Sequence, residues 1–514
     1  MLRAIGLTLL SAFLLILAFP KPQLWPLAWV ALVPFLLAID SRRFCSAGFL
    51  GLLFGFLFFF LNIGWLIYVT VPGAIVLSLY LAFYPALFAL GVVYFKYLPL
   101  IPRVFILSAL WAVLEFLRAN LFTGFGWLTL GHSQYQNLLL IQIADIVGVY
   151  GISFLMMAVN ILTFEIIRFV IAREHGDRSN LDEIASQRTL AMTQLKNIYI
   201  TSAIITTLLV VSLAYGVWAF TQSKFSSTVQ VGVIQPNIAQ AIKWDERYMP
   251  AIMKQNLRLT DQVAQTKLDV ILWPETALPG VVGEEPGYLE QIQLKALDLK
   301  TPIVMGAIDI QNDHYYNSAF LIGSEGKIKG RYKKIHLVPF GEFLPLRPVL
   351  GWLNKYIGLE DFTSGTEYTL FPAGVLEHKF GVLICFEDTI NDLWRNFVNS
   401  GAGFLMNMTN DAWFMDTKEP FLHLQTAVLE CVMNKRSLVR AANTGVSGFI
   451  DPLGRIMNLA EDKNGKKTFV EAVSSASIPV NDRITFYTKY ADVFTSLCFL
   501  CILGAVFIPR RAYV

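Results

Sequence analysis

The chain has 514 residues, of which 55% are hydrophobic and 15% are charged, and its mean hydropathy is +0.53. Water-soluble globular proteins carry about 25% charged residues, so this composition excludes an ordinary soluble protein. The formal net charge is only +3 and no dense basic stripe occurs, which argues against nucleic acid as a partner.

Eight apolar runs flank a more polar segment between residues 222 and 488. Most of them reach the ~20 residues that a helix needs to cross the hydrocarbon core of a membrane. The runs cover residues 4–20, 23–40, 47–71, 73–95, 104–118, 146–167, 197–220 and 490–508. We therefore predict a transmembrane bundle of about seven helices over residues 1–221. An eighth helix and a short cytoplasmic tail are predicted over residues 489–514.

The positive charges of the connections predict the orientation of these helices. The charges fall on alternate connections, at Arg3, at Arg42 and Arg43, at Lys96 and Arg103, over residues 173–196, and at Arg510 and Arg511. Positively charged connections stay in the cytoplasm, so both termini are expected there. By the same alternation, residues 222–488 are expected on the outer side of the cytoplasmic membrane.

The segment 222–488 has a different sequence pattern, because short apolar runs alternate there with amphipathic stretches. The predicted strands cover residues 229–234, 268–272, 302–306, 381–384 and 403–406, and the predicted helices cover 246–266, 287–299 and 419–441. This alternation is typical of a layered α/β domain, and roughly 265 residues can bury one full core. The aromatic-rich stretch 349–362 is expected either to be buried or to form an arm that dips into the membrane interface.

Of the cysteines at positions 45, 385, 431, 498 and 501, only Cys385 has chemically suggestive neighbours. Their spacing predicts neither a disulfide framework nor a metal site. Cys385 closes an apolar strand, and Phe386 and Glu387 follow it toward a helix. Such an elbow is expected to lower the pKa of the thiol and to supply oxyanion donors from the backbone. The alternative is an inert cysteine buried at a strand end.

Two further strand ends carry charged side chains. Glu275 closes a predicted strand, where partial desolvation would raise its pKa toward that of a useful general base; an ordinary first-turn glutamate is the alternative. Either Lys333 or Lys334 could be a fixed cation for an oxyanion, held by Glu342 through a charge-assisted hydrogen bond. A solvated basic edge is the alternative here, and composition alone does not choose between the two lysines.

Together these residues stand in the chain order of the Glu-Lys-Cys triad of the nitrilase (carbon–nitrogen hydrolase) superfamily, which the sequence resembles. Other motifs resemble the apolipoprotein N-acyltransferase family within it, over nearly the whole chain. These motifs are EFLR at 115–118, GVYGISF at 148–154, HLVPFGE at 336–342, NMTNDAW at 407–413, RSLVRAANTG at 436–445 and IDPLG at 450–454. The resemblance implies Lys334 rather than Lys333 as the catalytic lysine. One departure is Phe386, where Tyr is usual in the family.

The resemblance also implies an αββα sandwich that moves a fatty acyl chain from a membrane phospholipid to apolipoproteins. The acyl chain would form a thioester on Cys385 and end on the N-terminal amine of S-diacylglyceryl-cysteine, with Glu275 as the general base. Glu342 and Glu387 are expected to support the triad, and Trp244, Arg118 and Phe386 are candidates for substrate binding. We expect a monomer in the bacterial inner membrane, with its catalytic domain on the periplasmic side and with no cofactor and no metal.

Three other functions are compatible with parts of the pattern. A membrane-tethered amidase would use the same triad with water as the second nucleophile, but hydrolysis of small amides needs no large membrane bundle. A non-catalytic lipid- or lipoprotein-binding scaffold predicts the loss of a triad residue, and all three are present. Transport would be suggested by the helices alone, yet few charged residues lie within the predicted spans.

Overall fold

The computed structural model describes residues 1–174, 181–223, 225, 227–284, 287–344, 347–351, 361–372 and 378–508. The chain forms two compact units, one from Met1–Gln222 with Tyr490–Val514 and the other from Ser223–Lys489. Most of the aromatic stretch predicted to form an interfacial arm, residues 352–360, lies outside the described residues. The same holds for residues 509–514, which include the predicted cytoplasmic tail.

The first unit is helical throughout its regular structure. Its α-helices are Leu2–Leu17, Val33–Ile39, Phe44–Ile63, Val71–Tyr94, Leu100–Asn120, Leu138–Ile141, Ala144–Glu174, Leu181–Gln222 and Val493–Val506. Five helical segments in the described part are long and apolar enough to cross a membrane: Phe44–Tyr68, Val71–Tyr97, Leu100–Asn120, Ala144–Ile171 and Ala191–Gln222. The shorter apolar segments are Leu2–Leu17, Trp25–Ile39 and Val493–Val506. Each of the eight predicted runs is therefore helical, but the count of eight spans stays a prediction.

The surface of this unit and its helix packing both suit a lipid environment. Large apolar side chains such as Phe49, Val76 and Phe83 are exposed, and a soluble protein would rarely display so much contiguous apolar surface. Where helices Phe44–Ile63 and Val71–Tyr94 cross, small residues permit close approach. A Cβ atom added at Gly51 or Gly55 would lie 2.6 or 2.7 Å from a backbone Cα of the facing helix. Such small-residue contacts hold helices together in membranes.

The second unit contains two six-stranded sheets. The strands are β1 Ser227–Gln235, β2 Val270–Leu272, β3 Ile303–Gln311, β4 His314–Ile322, β5 Ile328–Lys333, β6 Leu370–Pro372, β7 Lys379–Ile384, β8 Ala402–Thr409, β9 Ser437–Ala442, β10 Gly448–Ile450, β11 Ile456–Leu459 and β12 Ala472–Val480. One sheet has the order β12-β1-β2-β3-β4-β5 and the other β11-β10-β9-β8-β7-β6. Strands β1, β2 and β3 run parallel, as do β7, β8 and β9.

Helices cover the outer face of each sheet, which gives the layer order helix–sheet–sheet–helix. Helices Met249–Val263 and Tyr288–Leu299 pack on the first sheet through an apolar core that includes Leu259, Ile292 and Phe320. Helices Asn391–Asn399 and Glu419–Asn434 contact the second sheet. The predicted fold class, an apolar helical region with an α/β sandwich domain, is confirmed.

One predicted boundary was wrong. The helix predicted over residues 419–441 ends at Asn434, where Lys435 adopts a left-handed conformation with φ 49° and closes the last turn. Strand β9 then begins at Ser437 and pairs in parallel with β8. Residues 437–442 do not alternate between apolar and polar side chains, so periodicity alone could not separate this buried strand from a continuation of the helix.

Candidate active site

Each of the three predicted catalytic residues lies just beyond the end of a strand. Glu275 follows β2, Lys334 follows β5, and Cys385 follows β7. The first two belong to one sheet and the third to the other, so the packing of the two sheets is what brings them together. All three interact electrostatically with one another. Glu275 and Lys334 are 7% and 1% exposed, so this centre is largely shielded from water.

A compact hydrogen-bond network fixes the Glu275 and Lys334 side chains. The Lys334 ammonium donates to Glu342 Oε1 at 2.8 Å and lies 3.8 Å from Glu275 Oε1. The Asn317 side-chain amide donates to both carboxylates, at 2.7 Å to Glu275 and 3.0 Å to Glu342. The Val338 backbone N–H donates to the other oxygen of Glu342 at 2.8 Å. Glu342 therefore fixes the position of the Lys334 ammonium, and Asn317 fixes the positions of both carboxylates relative to each other.

The charges of this network follow from burial and pairing. Burial raises the pKa of Glu275, and the opposing effect of the Lys334 ammonium does not cancel this shift. Burial opposes the charge of Lys334, but the carboxylates of Glu342 and Glu275 outweigh it and raise the pKa of that lysine. The carboxylate is thus disposed to accept a proton, whereas the lysine is a permanent cation. These are the properties of a general base and of an oxyanion-stabilising group.

Cys385 sits at a strained elbow between β7 and a short helical turn, Cys385–Thr389. Its φ of 56° lies in the left-handed region, which a non-glycine residue adopts at a cost and which is common at active sites. The Asn407 side chain donates to the Cys385 carbonyl at 2.9 Å, and Thr409 hydrogen-bonds the side chain of the cysteine. These contacts hold the elbow in place.

The expectation that the elbow lowers the thiol pKa was wrong. Burial, followed by the nearby Glu275 carboxylate, raises the pKa of Cys385 well above its ordinary value, and Lys334 only partly opposes this. The resting cysteine is therefore a neutral thiol. It needs a base to remove its proton at the moment of attack, and Glu275 is the carboxylate that faces it.

Glu387 links the end of β7, which precedes Cys385, to the loop that contains Lys334. Its carboxylate accepts hydrogen bonds from the backbone N–H groups of Ile384 at 2.7 Å, Ile335 at 2.7 Å and His336 at 3.0 Å. The Tyr332 hydroxyl donates to the same carboxylate at 2.9 Å. Burial raises the pKa of Glu387 to about 7, although these hydrogen bonds oppose the shift. Because the residues next to Lys334 and Cys385 share this acceptor, Glu387 sets the distance between them.

The three candidates for substrate binding have different surroundings. Phe386 is half-buried beside the His336 ring, with ring centroids 5.9 Å apart. Trp244 is 43% exposed and so presents an indole that a ligand could contact. Arg118 belongs to the helical unit, where it is buried and donates to the Trp127 carbonyl at 2.6 Å. The structure thus brings Phe386 to the triad, and Arg118 has its own partner within the helical unit.

Arg118 also lines a small, mostly apolar cavity of about 30 Å³ within the helical unit. Glu115, one turn away, shares this cavity. Both side chains are buried there among aromatic and leucine residues. Buried charged groups in a membrane bundle are rare and often functional.

Two residues of the site were missed by the sequence analysis. Asn317 lies within β4, and Lys243 lies in the connection between β1 and helix Met249–Val263. The Lys243 ammonium donates to the Glu275 carbonyl at 3.0 Å. An asparagine inside an apolar strand is a weak signal of a buried polar role. The sequence around Lys243 carried no comparable signal, because a lysine in a polar connection is ordinarily solvated.

One group of side chains in the described residues has the donor spacing of a metal site. Asp411, Glu419 and His423 place ligand atoms within 4.8 Å of one another. However, His423 Nε2 lies 2.5 Å from Asp388, which is also ion-paired with Arg440. Burial and Arg440 oppose a charge on His423, but the two aspartates outweigh them and raise its pKa to about 9. Together with Asp388 and Arg440, these side chains form a buried charge network.

Comparisons with known proteins match both units. Residues 11–162 match the apolipoprotein N-acyltransferase N-terminal domain, and residues 230–482 match the carbon-nitrogen hydrolase family. Apolipoprotein N-acyltransferase of Geobacter metallireducens is 35% identical, covering 99% of this chain and 95% of the relative. The proteins of the same name from Chlorobaculum tepidum and Haemophilus influenzae are each 28% identical, covering 96% and 98% of this chain and 94% and 95% of the relatives.

Proposed function

The chain belongs to the apolipoprotein N-acyltransferase family, and on this premise we propose that it N-acylates apolipoproteins by a thioester route. A membrane phospholipid donates the acyl chain, and the N-terminal amine of S-diacylglyceryl-cysteine accepts it. The observation that supports the mechanism is that buried Glu275 and Lys334 lie at strand ends and interact electrostatically with Cys385 at a third strand end. The relatives' names also support lipoprotein N-acylation over the amidase alternative.

In the first half of the reaction, Glu275 takes the proton of the Cys385 thiol as the sulfur attacks the ester carbonyl carbon of the phospholipid. The tetrahedral oxyanion is stabilised by the Lys334 ammonium and by backbone N–H groups at the elbow. The C–O bond then breaks, and the leaving alkoxide takes the proton from Glu275 to become the lysophospholipid. The acyl chain remains as a thioester on Cys385.

In the second half, the α-amine of the lipoprotein attacks the thioester carbonyl and gives a proton to Glu275. The same cation and N–H groups stabilise the second oxyanion. The C–S bond breaks, Cys385 leaves as a thiolate and recovers the proton from Glu275, and an amide is formed. Glu275 thus gains and loses one proton in each half, which suits a carboxyl group whose pKa burial has raised.

The remaining predicted residues either hold the catalytic groups in position or bind the substrates. Glu342 and Glu387 hold the lysine loop and the nucleophile elbow through the hydrogen bonds described above. Trp244 and Phe386 contact the substrate near the reacting carbon, and Arg118 binds a polar part of a lipid from within the helical unit. The protein is a bacterial membrane protein, and we place it in the inner membrane as a monomer with the α/β unit on the periplasmic side.

The proposal is tested by searching for the acyl-enzyme. Purified protein is incubated with phospholipid and analysed by mass spectrometry for a hydroxylamine-labile acyl group on Cys385. The wild type and a Cys501→Ala control, which removes an exposed cysteine, should both carry this group. Cys385→Ala should fold and carry none. Acyl transfer retained by Cys385→Ala would exclude the thioester route.

A second stage separates acyl transfer from hydrolysis. A diacylglyceryl-cysteine peptide is added to the isolated acyl-enzyme, and the products are identified by mass. An N-acylated peptide is expected. Release of free fatty acid with no acylated peptide would instead support an amidase-like hydrolase.

A further inference from the structure

Lys243 is a buried cation in an otherwise exposed stretch of chain. Its side chain is 6% exposed, whereas its neighbour Trp244 is 43% exposed. An ammonium group is costly to remove from water unless a partner compensates it, and lysine is rarely buried. The fold therefore turns the charge inward and the indole outward, which requires compensation in the interior.

The compensation comes from the catalytic centre. The Lys243 ammonium donates to the Glu275 backbone carbonyl at 3.0 Å. It also interacts electrostatically with the Glu275 carboxylate and with Cys385. Its hydrogen-bond acceptor is a neutral carbonyl, so the negative charge that balances the ammonium belongs to the reacting pair.

A count of the buried charges shows why a second cation is needed. The Lys334 ammonium is hydrogen-bonded to Glu342 at 2.8 Å, and these two charges cancel. Glu275 and Cys385 share one further negative charge, which is on the carboxylate at rest and on the sulfur when the thiol has lost its proton. Without Lys243, this charge would be unbalanced in a site of low dielectric constant, where an unpaired charge is strongly disfavoured.

We propose that Lys243 is a positioning residue for acyl transfer: its ammonium fixes the Glu275 backbone and balances the single negative charge that Glu275 and Cys385 exchange. The inference rests on the proposed function, since it assigns a role within the same site. Lys243 acts through Glu275 and Cys385 and forms no bond to the acyl group.

The pH dependence of the first half of the reaction reports this role. Burial lowers the pKa of Lys243 to about 8, although Glu275 and Cys385 oppose the shift. The ammonium is therefore charged below about pH 8 and loses its charge as the pH rises through that value. The other charged or titratable groups around the reacting pair are Lys334, Glu342 and Asp411. Glu387 interacts with Lys334 and has a pKa of about 7, so it also titrates within the range of the test. All four groups remain in the variants below.

The test measures single-turnover acylation of the full-length protein by phospholipid between pH 5 and pH 10, normalised to the folded fraction. Lys243→Met should be about tenfold slower at neutral pH, and its acid limb should move up by about one pH unit, because the proton on Glu275 is harder to remove. Lys243→Arg keeps the charge, so it should retain activity above the pH at which the wild type declines. The control is Lys254→Met, which removes an exposed lysine and should match the wild type.

The proposal is overturned if Lys243→Met has the rate and pH profile of the wild type, or loses activity by the same factor at every pH. A second readout does not depend on lipid turnover. Alkylation of Cys385 by iodoacetamide, followed by peptide mass, should give a higher apparent thiol pKa in Lys243→Met than in the wild type and in Lys254→Met. An unchanged thiol pKa contradicts the inference, whereas a wild type that alkylates but forms no acyl-enzyme contradicts only the proposed function.

Discussion

The helical unit and the α/β unit both bury charged side chains, and two buried carboxylates, Glu115 and Glu387, differ in how far along the chain their hydrogen-bond donors lie. In the helical unit, Glu115 accepts from Trp111 and from the Leu130 backbone, which lie 4 and 15 positions away. In the α/β unit, Glu387 accepts from Tyr332, which lies 55 positions away. The difference shows how much the surroundings of each carboxylate depend on the rest of its unit.

Local partners form as soon as one helix and its following loop are in place, so their geometry tolerates shifts elsewhere in the unit. Distant partners meet only when strands of both sheets are assembled. The catalytic centre depends on such distant partners, as with Glu275 and Asn317, 42 positions apart, although Lys334 and its partner Glu342 are only 8 positions apart. A change within this network should therefore impair function and stability more than an equivalent change in the helical unit.

The largest effect is expected from Lys334→Met. This change removes the cation that faces the developing oxyanion and leaves Glu275 and Glu342 as two buried carboxylates without their shared partner. Loss of one such stabilising group costs roughly 10²–10³ in rate. The measurement is the rate of acyl-enzyme formation at fixed phospholipid concentration.

Lys333→Met is the matched control for that change. The Lys333 ammonium donates to the Gln311 side chain at 2.6 Å and lies over the Tyr316 ring, away from the Glu275 carboxylate. Its loss should leave the acylation rate within a few-fold of the wild type. Equal losses in the two variants would contradict the assignment of Lys334 as the catalytic cation.

The next largest effect is expected from Glu387→Gln, measured by thermal unfolding in detergent at pH 8. At this pH, above the pKa of about 7, the native carboxylate is ionised and accepts from three backbone N–H groups and a hydroxyl. An amide has only one acceptor oxygen, so at least one buried N–H group loses its partner. We expect destabilisation of about 2–3 kcal/mol and slower acylation. Unchanged stability would show that Glu387 does not hold the two loops together.

The smallest effect is expected from Glu115→Gln. Both the Trp111 indole and the Leu130 N–H donate to the same oxygen, Oε1, and the glutamine carbonyl can replace that atom. Destabilisation should stay within about 1 kcal/mol, whereas Glu115→Leu leaves both donors unpaired and should cost about 1–3 kcal/mol. Thermal unfolding of the two variants measures the difference. If Glu115→Gln lowered the free energy of unfolding as much as Glu387→Gln does, the expected difference between the two carboxylates would be contradicted.

Much of the architecture could be predicted from local patterns of apolar and polar residues in the sequence. Every predicted apolar run outside residues 222–488 is helical, and each of the five predicted strands overlaps a strand of the structure. Strands β4, β5, β6 and β10–β12 were not predicted, because their polar or short sequences lack a strong alternating pattern. Strand β9 was assigned to the end of a helix because its sequence, Ser437–Ala442, is buried along its whole length and does not alternate between apolar and polar residues.

The residue types and chain order of the triad were likewise evident from the sequence, because strand ends followed by Glu, Lys or Cys are local features. Glu342 as the partner of the lysine and the raised pKa of Glu275 were also expected, whereas tertiary structure alone decided the protonation state of Cys385 and the more distant partners. The thiol of Cys385 is neutral because it is buried beside Glu275, and neither condition is visible along the chain. Asn317 and Lys243 joined the site only when strands and connections from distant parts of the sequence met. The sequence determines which chemical groups are present, whereas their burial and electrostatic pairing depend on which segments the fold brings within a few ångströms of one another.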